Sequence, residues 1–491
     1  MEFGEGLRME VDWEICLEQE VAGVDLGDKR LNDRLRAVLM AFGKAPQLSI
    51  PAALGGRNEM EAGYRLFAHP EVTPEKILSQ HFANTRKRIR KLPVSLLVQD
   101  TTDVELTRPK QQVKGTGPMS SNSEFGAFLH PLVAFHPAGV PLGVVWVKHW
   151  TRSKIDTEST PDEKHQKRKQ TPIEDKESIR WIEGLRVARD VAEESPDTQC
   201  ILVCDSESDI YEFFAEPRHT SHGRSLEILV RGCQPRATTT KGVSIEGAVR
   251  AAPCRYTATI QVKAHTPKTQ VETRKRRTER TPRVAQVEVR ACSVMLRPPP
   301  RSDRQLPPVA VNVILVEEVS PPAGEEPIQW ILLTTLPIET DEQIRAGVDY
   351  YCGRWGIEVF FKTLKSGCRI EERQFEYLHR ELNAIAVYLI VAWRVMALCR
   401  LGRECPDLSC EVLFETSEWK SVYLIVQKKP LPKTPPTLNQ FIRMVALLGG
   451  YVPRKSTEPG TQTLWIGMQR MYDLAHCYDT FGPNAQHAPD N

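Results

Sequence analysis

Along the first ninety positions apolar residues recur at helical spacing. Leu31, Leu35, Val38, Leu39 and Phe42 fall three and four apart and share one helix face, with Asp28 placed to cap the amino end. The opposite face carries Lys29, Arg30, Arg34 and Arg36. A second start signal, Thr73-Pro74-Glu75, sets a capping hydroxyl before a proline at the first helical position. The helix it opens runs toward the basic cluster Arg86, Lys87, Arg88, Arg90 and Lys91. At Val94 the pattern changes. Val94 to Gln99 is a short apolar run that ends in Asp100-Thr101-Thr102. Phe128 to Phe135 and Val140 to Val147, joined by His-Pro-Ala-Gly, read as a hairpin. Glu177 to Glu194 is helical again, through Ile179, Ile182, Leu185, Val191 and Ala192. Cys200 to Cys204 is continuously apolar, as expected of a strand buried on both faces, and it too is followed by an aspartate, Asp205. Three strands, a helix and a strand predict an α/β fold, a mixed sheet with helices packed on it.

From about Leu226 to Leu336 strand-like runs alternate: LEILVR, YTATIQV, VAQVEVR, VAVNVILV and WILLTTL. Between two of them lies the basic segment Lys263 to Arg283, with Arg274-Lys275-Arg276-Arg277 at its centre. Helical pattern returns at Thr340, which forms a capping box with Gln343, and continues past a proline-rich break at Pro430 to Pro436. Gly449-Gly450 closes one of these helices. Two apolar stripes follow at helical spacing: Leu438, Phe441, Ile442, Val445 and Leu448, then Leu464, Met468, Met471, Tyr472 and Ala475. The second stripe is expected to pair with its copy across a two-fold axis. The predicted organisation is a helical segment at 1–92 whose basic faces suit DNA binding, an α/β domain at 93–375 with a β-rich insertion at about 220–338, and a helical region at 376–491 that would carry the contact with a second copy.

Composition narrows the class. In 491 residues, 65 Lys and Arg nearly cancel 63 Asp and Glu, so the net charge is +2 and any nucleic-acid surface must be a local patch. The acidic start MEFGEGLRMEVDWE has no apolar segment, which predicts no secretory signal. The apolar stretch Ala384 to Cys399 is interrupted by Arg394 and short for a bilayer, so a buried helix is expected rather than a membrane span. Twelve cysteines without a C-x-x-C pair read as reduced thiols in a cytosolic protein.

The two strand-end aspartates are the first candidate chemistry. Carboxylates placed together at the ends of neighbouring strands repel each other unless a cation sits between them, and hard oxygen donors favour magnesium or manganese. Aspartates also end strands simply to begin turns. A third element, Tyr351 to Lys365, reads YCGRWGIEVFFKTLK. On one helix Tyr351, Arg354, Glu358 and Lys365 lie near one face, and Trp355, Ile357, Phe360, Phe361 and Leu364 are expected to pack it on the sheet. A carboxylate for metal, a guanidinium and an ammonium for phosphate oxygens and a phenol for a further hydrogen bond suit a phosphodiester site. An amphipathic helix with ordinary ion pairs is the alternative, although Glu358 and Lys365 are too far apart to pair along it.

These motifs resemble the bacterial insertion-sequence DDE transposases of the insertion-sequence-four family, the group that includes the transposon-five transposase. Its Y-x2-R-x3-E-x6-K signature is matched by Tyr351, Arg354, Glu358 and Lys365; its strand-end D-T-T by Asp100-Thr101-Thr102; its D-x-E-x-D by Asp205-Ser206-Glu207-Ser208-Asp209. Leu26-Gly27-Asp28-Lys29-Arg30, Glu61-Ala62-Gly63-Tyr64-Arg65 and the W-x-L-L-T strand at Trp330 extend the similarity over nearly the whole chain. One departure is Ser206, where the family commonly has arginine.

The resemblance implies a ribonuclease H-like core whose catalytic and metal-binding carboxylates are Asp100, Asp205 and Glu358, holding two Mg2+ ions with Mn2+ able to substitute. It implies cut-and-paste transposition by phosphodiester hydrolysis, hairpin formation and strand transfer. Phosphate contacts fall on Tyr351, Arg354 and Lys365, base stacking on Trp330, and further DNA contacts on Arg231 and Arg30. The implied partners are double-stranded DNA, both the transposon-end inverted repeats and the target, and a second copy in a homodimeric paired-end complex, with no membrane. The implied location is the bacterial cytosol at the nucleoid. A ribonuclease H-like nuclease that cuts without joining, and a silent DNA-binding relic, use the same residues and stay open. A glycosidase-like acid pair has no other support.

Overall fold

The computed structural model describes residues 16–108, 110–121, 123–153, 159–221, 224–264, 280–301, 304–454 and 457–483. The chain forms two compact units. One comprises Met1–Glu158, Glu194–Thr198 and Trp355–Asn491; the other Ser159–Glu193 and Gln199–Arg354.

In the first unit the sheet is built around β4 (Phe125–Phe135), which pairs antiparallel with β1 (Val94–Gln99), β2 (Thr102–Glu105), β3 (Gly117–Pro118) and β5 (Pro141–Trp150). The expected hairpin is β4–β5, lengthened at both outer ends and carrying two register shifts. Gly139 turns it, with φ +87° that a residue with a side chain rarely adopts. The helix Lys29–Lys44 starts as predicted, Asp28 accepting from the Arg30 backbone N–H at 2.8 Å. Leu35, Val38, Leu39 and Phe42 are fully buried along its inner face. They face the helix Leu378–Glu404, where Phe42 stacks on Tyr388 with ring centroids 4.6 Å apart. That 27-residue helix is long and apolar enough to cross a membrane, but its most apolar stretch is 94% buried within the protein. It is the core helix of this unit, and Trp393 on it donates to the Pro141 carbonyl at 3.0 Å.

One expectation changes here, and one member of the basic cluster proves to be core. In the basic cluster that ends the helix Pro74–Ile89, Arg88 is buried, bound to the Glu20 carboxylate and to the Leu142 carbonyl, while Glu20 also binds the buried His81. This arginine holds the core together instead of facing solvent. The second carboxyl-terminal stripe is core as well. On the helix Thr461–Phe481, Leu464, Met468, Met471 and Ala475 are buried, and the Arg394 guanidinium donates to the Tyr472 hydroxyl at 2.9 Å. The helices Thr416–Gln427 and Leu438–Leu448 together with Leu378–Glu404 cover that stripe, so it is not available to a second copy.

The second unit begins with the helices Pro161–Gln170 and Ile179–Glu193. Its first strand, β6 (Gln199–Cys204), is parallel to β7 (Glu227–Arg231), with Ile201 opposite Glu227 and the short helix Tyr211–Ala215 between them in sequence. Beyond β7 the predicted β-rich region is an antiparallel series: β11 (Gln329–Thr334) on β7, then β10 (Val309–Glu318), β9 (Arg283–Leu296) and β8 (Cys254–Val262). The helix Ile245–Ala251 precedes β8, and the helix Asp341–Gly353 follows β11 behind the predicted Thr340–Gln343 capping box. Residues 265–279, the centre of the basic segment, lie outside the described residues. Antiparallel pairing in the first unit, and a parallel strand pair followed by an antiparallel series in the second, give the mixed α/β fold that the sequence predicts.

Candidate functional site

Asp100 follows β1 directly, at the point where the buried VSLLVQ run ends. Its Oδ1 accepts from the Thr101 backbone N–H at 2.7 Å. The corner is fixed from behind by His130, which is fully buried in β4. One ring nitrogen meets the Thr101 hydroxyl at 2.8 Å and the other the Gln99 side-chain oxygen at 3.1 Å. A neutral imidazole does both, donating to the amide oxygen and accepting from the hydroxyl.

The signature is not one continuous helix. Tyr351 belongs to the helix Asp341–Gly353, Arg354 caps it with φ −51° and ψ −34°, and Trp355–Lys362 is a separate helix that carries Glu358. Lys365 sits in a π-helical turn, Thr363–Gly367, in which the Cys368 N–H reaches back to the Thr363 carbonyl at 2.9 Å. Such turns insert a residue and re-aim the side chains that follow. Ile357, Phe360, Phe361 and Leu364 are buried as expected, but Trp355 is 61% exposed and does not pack the helix. The Lys365 ammonium meets the Asp103 carboxylate at 2.8 Å and the Glu371 carboxylate at 2.9 Å. Burial works to lower the Lys365 pKa, and these two carboxylates carry it above the ordinary lysine value.

In the second unit Asp205 follows β6 and caps a short turn, its Oδ1 accepting from the Glu207 N–H at 2.9 Å. Burial pushes its carboxyl pKa up and the Glu207 charge adds to this, against the Glu207 N–H and the Arg354 and Arg180 guanidiniums. Arg180 holds Glu207 at 2.7 Å. Asp209 ends the turn with its carboxylate fully enclosed. Its Oδ2 accepts from the N–H groups of Cys233 and Gln234, both at 2.7 Å, and its Oδ1 from the Arg236 guanidinium, Nε at 2.7 Å. The segment after β7 is thereby tied to the turn after Asp205.

Tyr351, Trp330 and Arg231 are brought together. The Tyr351 and Trp330 rings meet edge to face at 5.4 Å, and the Arg231 guanidinium lies 5.6 Å from the Trp330 ring. Arg231 also donates to the Gln329 carbonyl at 3.1 Å. Burial raises the Tyr351 phenol pKa, opposed by Arg354 and Arg231 and supported by Asp205, so these three groups lie within electrostatic reach of the phenol. Arg30 is exposed on the first turn of its helix. Asp100, Glu358, Lys365 and Arg30 belong to the first unit, and Asp205, Arg231, Trp330, Tyr351 and Arg354 to the second. Among the described residues no three His, Cys, Asp or Glu side chains form a ready-made metal cage. Sequence reasoning missed His130, although a histidine within an apolar strand was a visible signal. It also missed the role of Asp209, the last acid of the D-x-E-x-D segment; nothing in the sequence marked Arg236 as its partner.

Three family models match the chain in order. A transposase DNA-binding model matches residues 14–72, a transposase DDE domain residues 185–394, and the transposase Tn5 dimerisation domain residues 390–477. Asp205, Trp330, Tyr351, Arg354, Glu358 and Lys365 fall inside the second match, and Asp100 precedes it. Among solved structures, a cryo-EM structure of the piggyBac transposase synaptic complex with hairpin DNA aligns at 9% identity and a TM-score of 0.32. The alignment covers 78% of this chain and 72% of that one, a likeness too weak to bear on the fold.

Proposed function

Because the chain belongs to the DDE transposases and resembles that of Tn5, we propose that Asp100, Asp205 and Glu358 are its catalytic carboxylates. The observation that carries this reading is the cluster of Tyr351, Arg354, Arg231 and Trp330, with Asp205 in electrostatic reach of Tyr351 and Arg354: cationic and aromatic groups that a phosphodiester backbone and its bases require. The enzyme binds DNA and acts as a homodimer.

The donor set fits a hard divalent cation, since all three groups are carboxylates and two follow directly on buried strands. Two Mg2+ ions, with Mn2+ as a substitute, would lower the pKa of the attacking water and neutralise the leaving 3′ oxygen. Asp100, Asp205 and Glu358 would hold them. Arg354 and Lys365 bind phosphate oxygens, Tyr351 donates its phenol proton to another, and Arg231 orients the phenol. Trp330, edge-on to Tyr351, offers a face to an unstacked base, which a hairpin at the cut end requires. Arg30 contacts the DNA backbone from its exposed helix turn. The substrates are the inverted repeats at the transposon ends and then target DNA, with cut-and-paste transposition as the outcome, in the bacterial cytosol at the nucleoid.

Asp100→Ala tests the assignment. It should abolish cutting of end DNA in magnesium while leaving end binding in a gel-shift assay close to wild type. Retained cutting would remove Asp100 from the catalytic set, and a product cut but never joined would favour a plain nuclease.

A further inference from the structure

Lys365 belongs to the phosphate grip on the reading above, yet in the free protein its ammonium is already held by two carboxylates. Asp103 meets it from β2 at 2.8 Å, and Glu371 from the short turn Ile370–Glu372 at 2.9 Å. The two carboxylates differ in how they are held. Asp103 alternates outward on β2 and its side chain is 58% exposed, so little besides Lys365 fixes it. Glu371 is anchored. Its Oε1 also accepts from the Glu105 N–H at 3.1 Å, and its carbonyl accepts from Arg108 at 2.9 Å. The Lys365 side chain, 25% exposed, is thus held in place by one fixed and one movable anion.

We propose that Asp103 and Glu371 form a carboxylate cradle that competes with DNA phosphate for Lys365, so that this lysine engages DNA only by giving up at least one of the two. The inference rests on Lys365 being a phosphate ligand. The ammonium has three N–H donors, and a phosphate oxygen carries the same charge as either carboxylate. The fixed Glu371 can stay as a guide while Asp103 swings into solvent. The cradle then does two things. It keeps the lysine side chain in one direction, which lowers the entropy lost on binding. It also subtracts from the affinity for every phosphate that Lys365 meets, whatever the sequence, because phosphate contacts carry no base information.

Substitutions that keep shape and remove charge should therefore tighten binding, the opposite of what damage to a site does. Glu371→Gln retains the oxygen that accepts from Glu105, and Asp103→Asn alters an exposed side chain. Dissociation constants for end DNA and for unrelated duplex are measured by fluorescence anisotropy across a salt series, using the full chain. Partly exposed ion pairs change an equilibrium by a factor of about 1.5 to 5 each, so the double variant should bind both DNAs roughly 2- to 10-fold more tightly. Asp103→Asn alone should account for part of the gain. Lys365→Ala should weaken binding and flatten the salt dependence by about one counterion. If Lys365→Ala leaves both unchanged, the phosphate reading fails. If Lys365→Ala weakens binding but Asp103→Asn and the double variant bind no more tightly than wild type, the cradle proposal alone is overturned. Should the double variant melt early, Asp103→Asn decides by the same criterion.

Discussion

The two strand-end aspartates are supported in opposite ways. Behind Asp100 the holding groups are neutral: the buried His130 joins the Gln99 amide to the Thr101 hydroxyl. Behind Asp205 they are ionic. The turn it caps ends in Asp209, which is enclosed by Arg236 and two backbone N–H groups. The two arrangements differ in how they fail. A neutral network loses its bonds one at a time, whereas a buried ion pair that loses one member leaves the other charged and desolvated.

That contrast sets an order of effects. Asp209→Asn should be the most damaging, because Arg236, with a side chain only 11% exposed, would keep its charge without a counterion. The expected loss of stability in chemical denaturation is about 3–5 kcal/mol. Replacing both members, Asp209→Asn with Arg236→Gln, should recover much of it, and no recovery would mean that the backbone contacts hold the turn. His130→Phe keeps the ring and removes two hydrogen bonds, for which about 1–3 kcal/mol is expected. A loss as large as that of Asp209→Asn would erase the distinction between neutral and ionic support.

Glu381 sharpens the comparison from the other side, since it is fully buried and neither carboxylate oxygen has a hydrogen-bond partner. Burial pushes its carboxyl up to about 8, with Arg108 and Arg373 opposing. Its proton is kept in the folded state and lost from the unfolded chain near 4.5, so its contribution is complete below pH 4.5 and declines as pH rises toward 8. Glu381→Gln should then raise the melting temperature at pH 8 and leave it unchanged at pH 4. Equal shifts at both pH values would show that the carboxyl is charged in the folded protein.

Much of this was legible in the sequence, for identifiable reasons. The strands that carry Asp100 and Asp205 are short apolar runs with a hard stop, and the caps at Asp28, Thr73 and Thr340 are local chemistry that tertiary context did not override. What was not legible depends on partners distant in sequence. Arg88 reads as one of five cations in a basic cluster, but its partner Glu20 is 68 residues away. The stripe through Met468 and Tyr472 looked available because periodicity tells only that a face is buried, and Arg394 together with two neighbouring helices is what covers it. Trp355 was assigned to packing from its spacing, and the break at Arg354 turns it outward instead. The π turn at Lys365 left no mark in the sequence.

The central claim is that Asp205 acts as a metal ligand, and changing the metal tests it most directly. Asp205→Cys substitutes a thiolate, which Mg2+ accepts poorly and Mn2+ accepts better. Cleavage of end DNA by this variant should fall on the order of 100-fold or more in Mg2+ and recover substantially in Mn2+, with end binding unchanged in both. Undiminished cutting in Mg2+, or an equal loss with both metals while binding persists, would contradict the account.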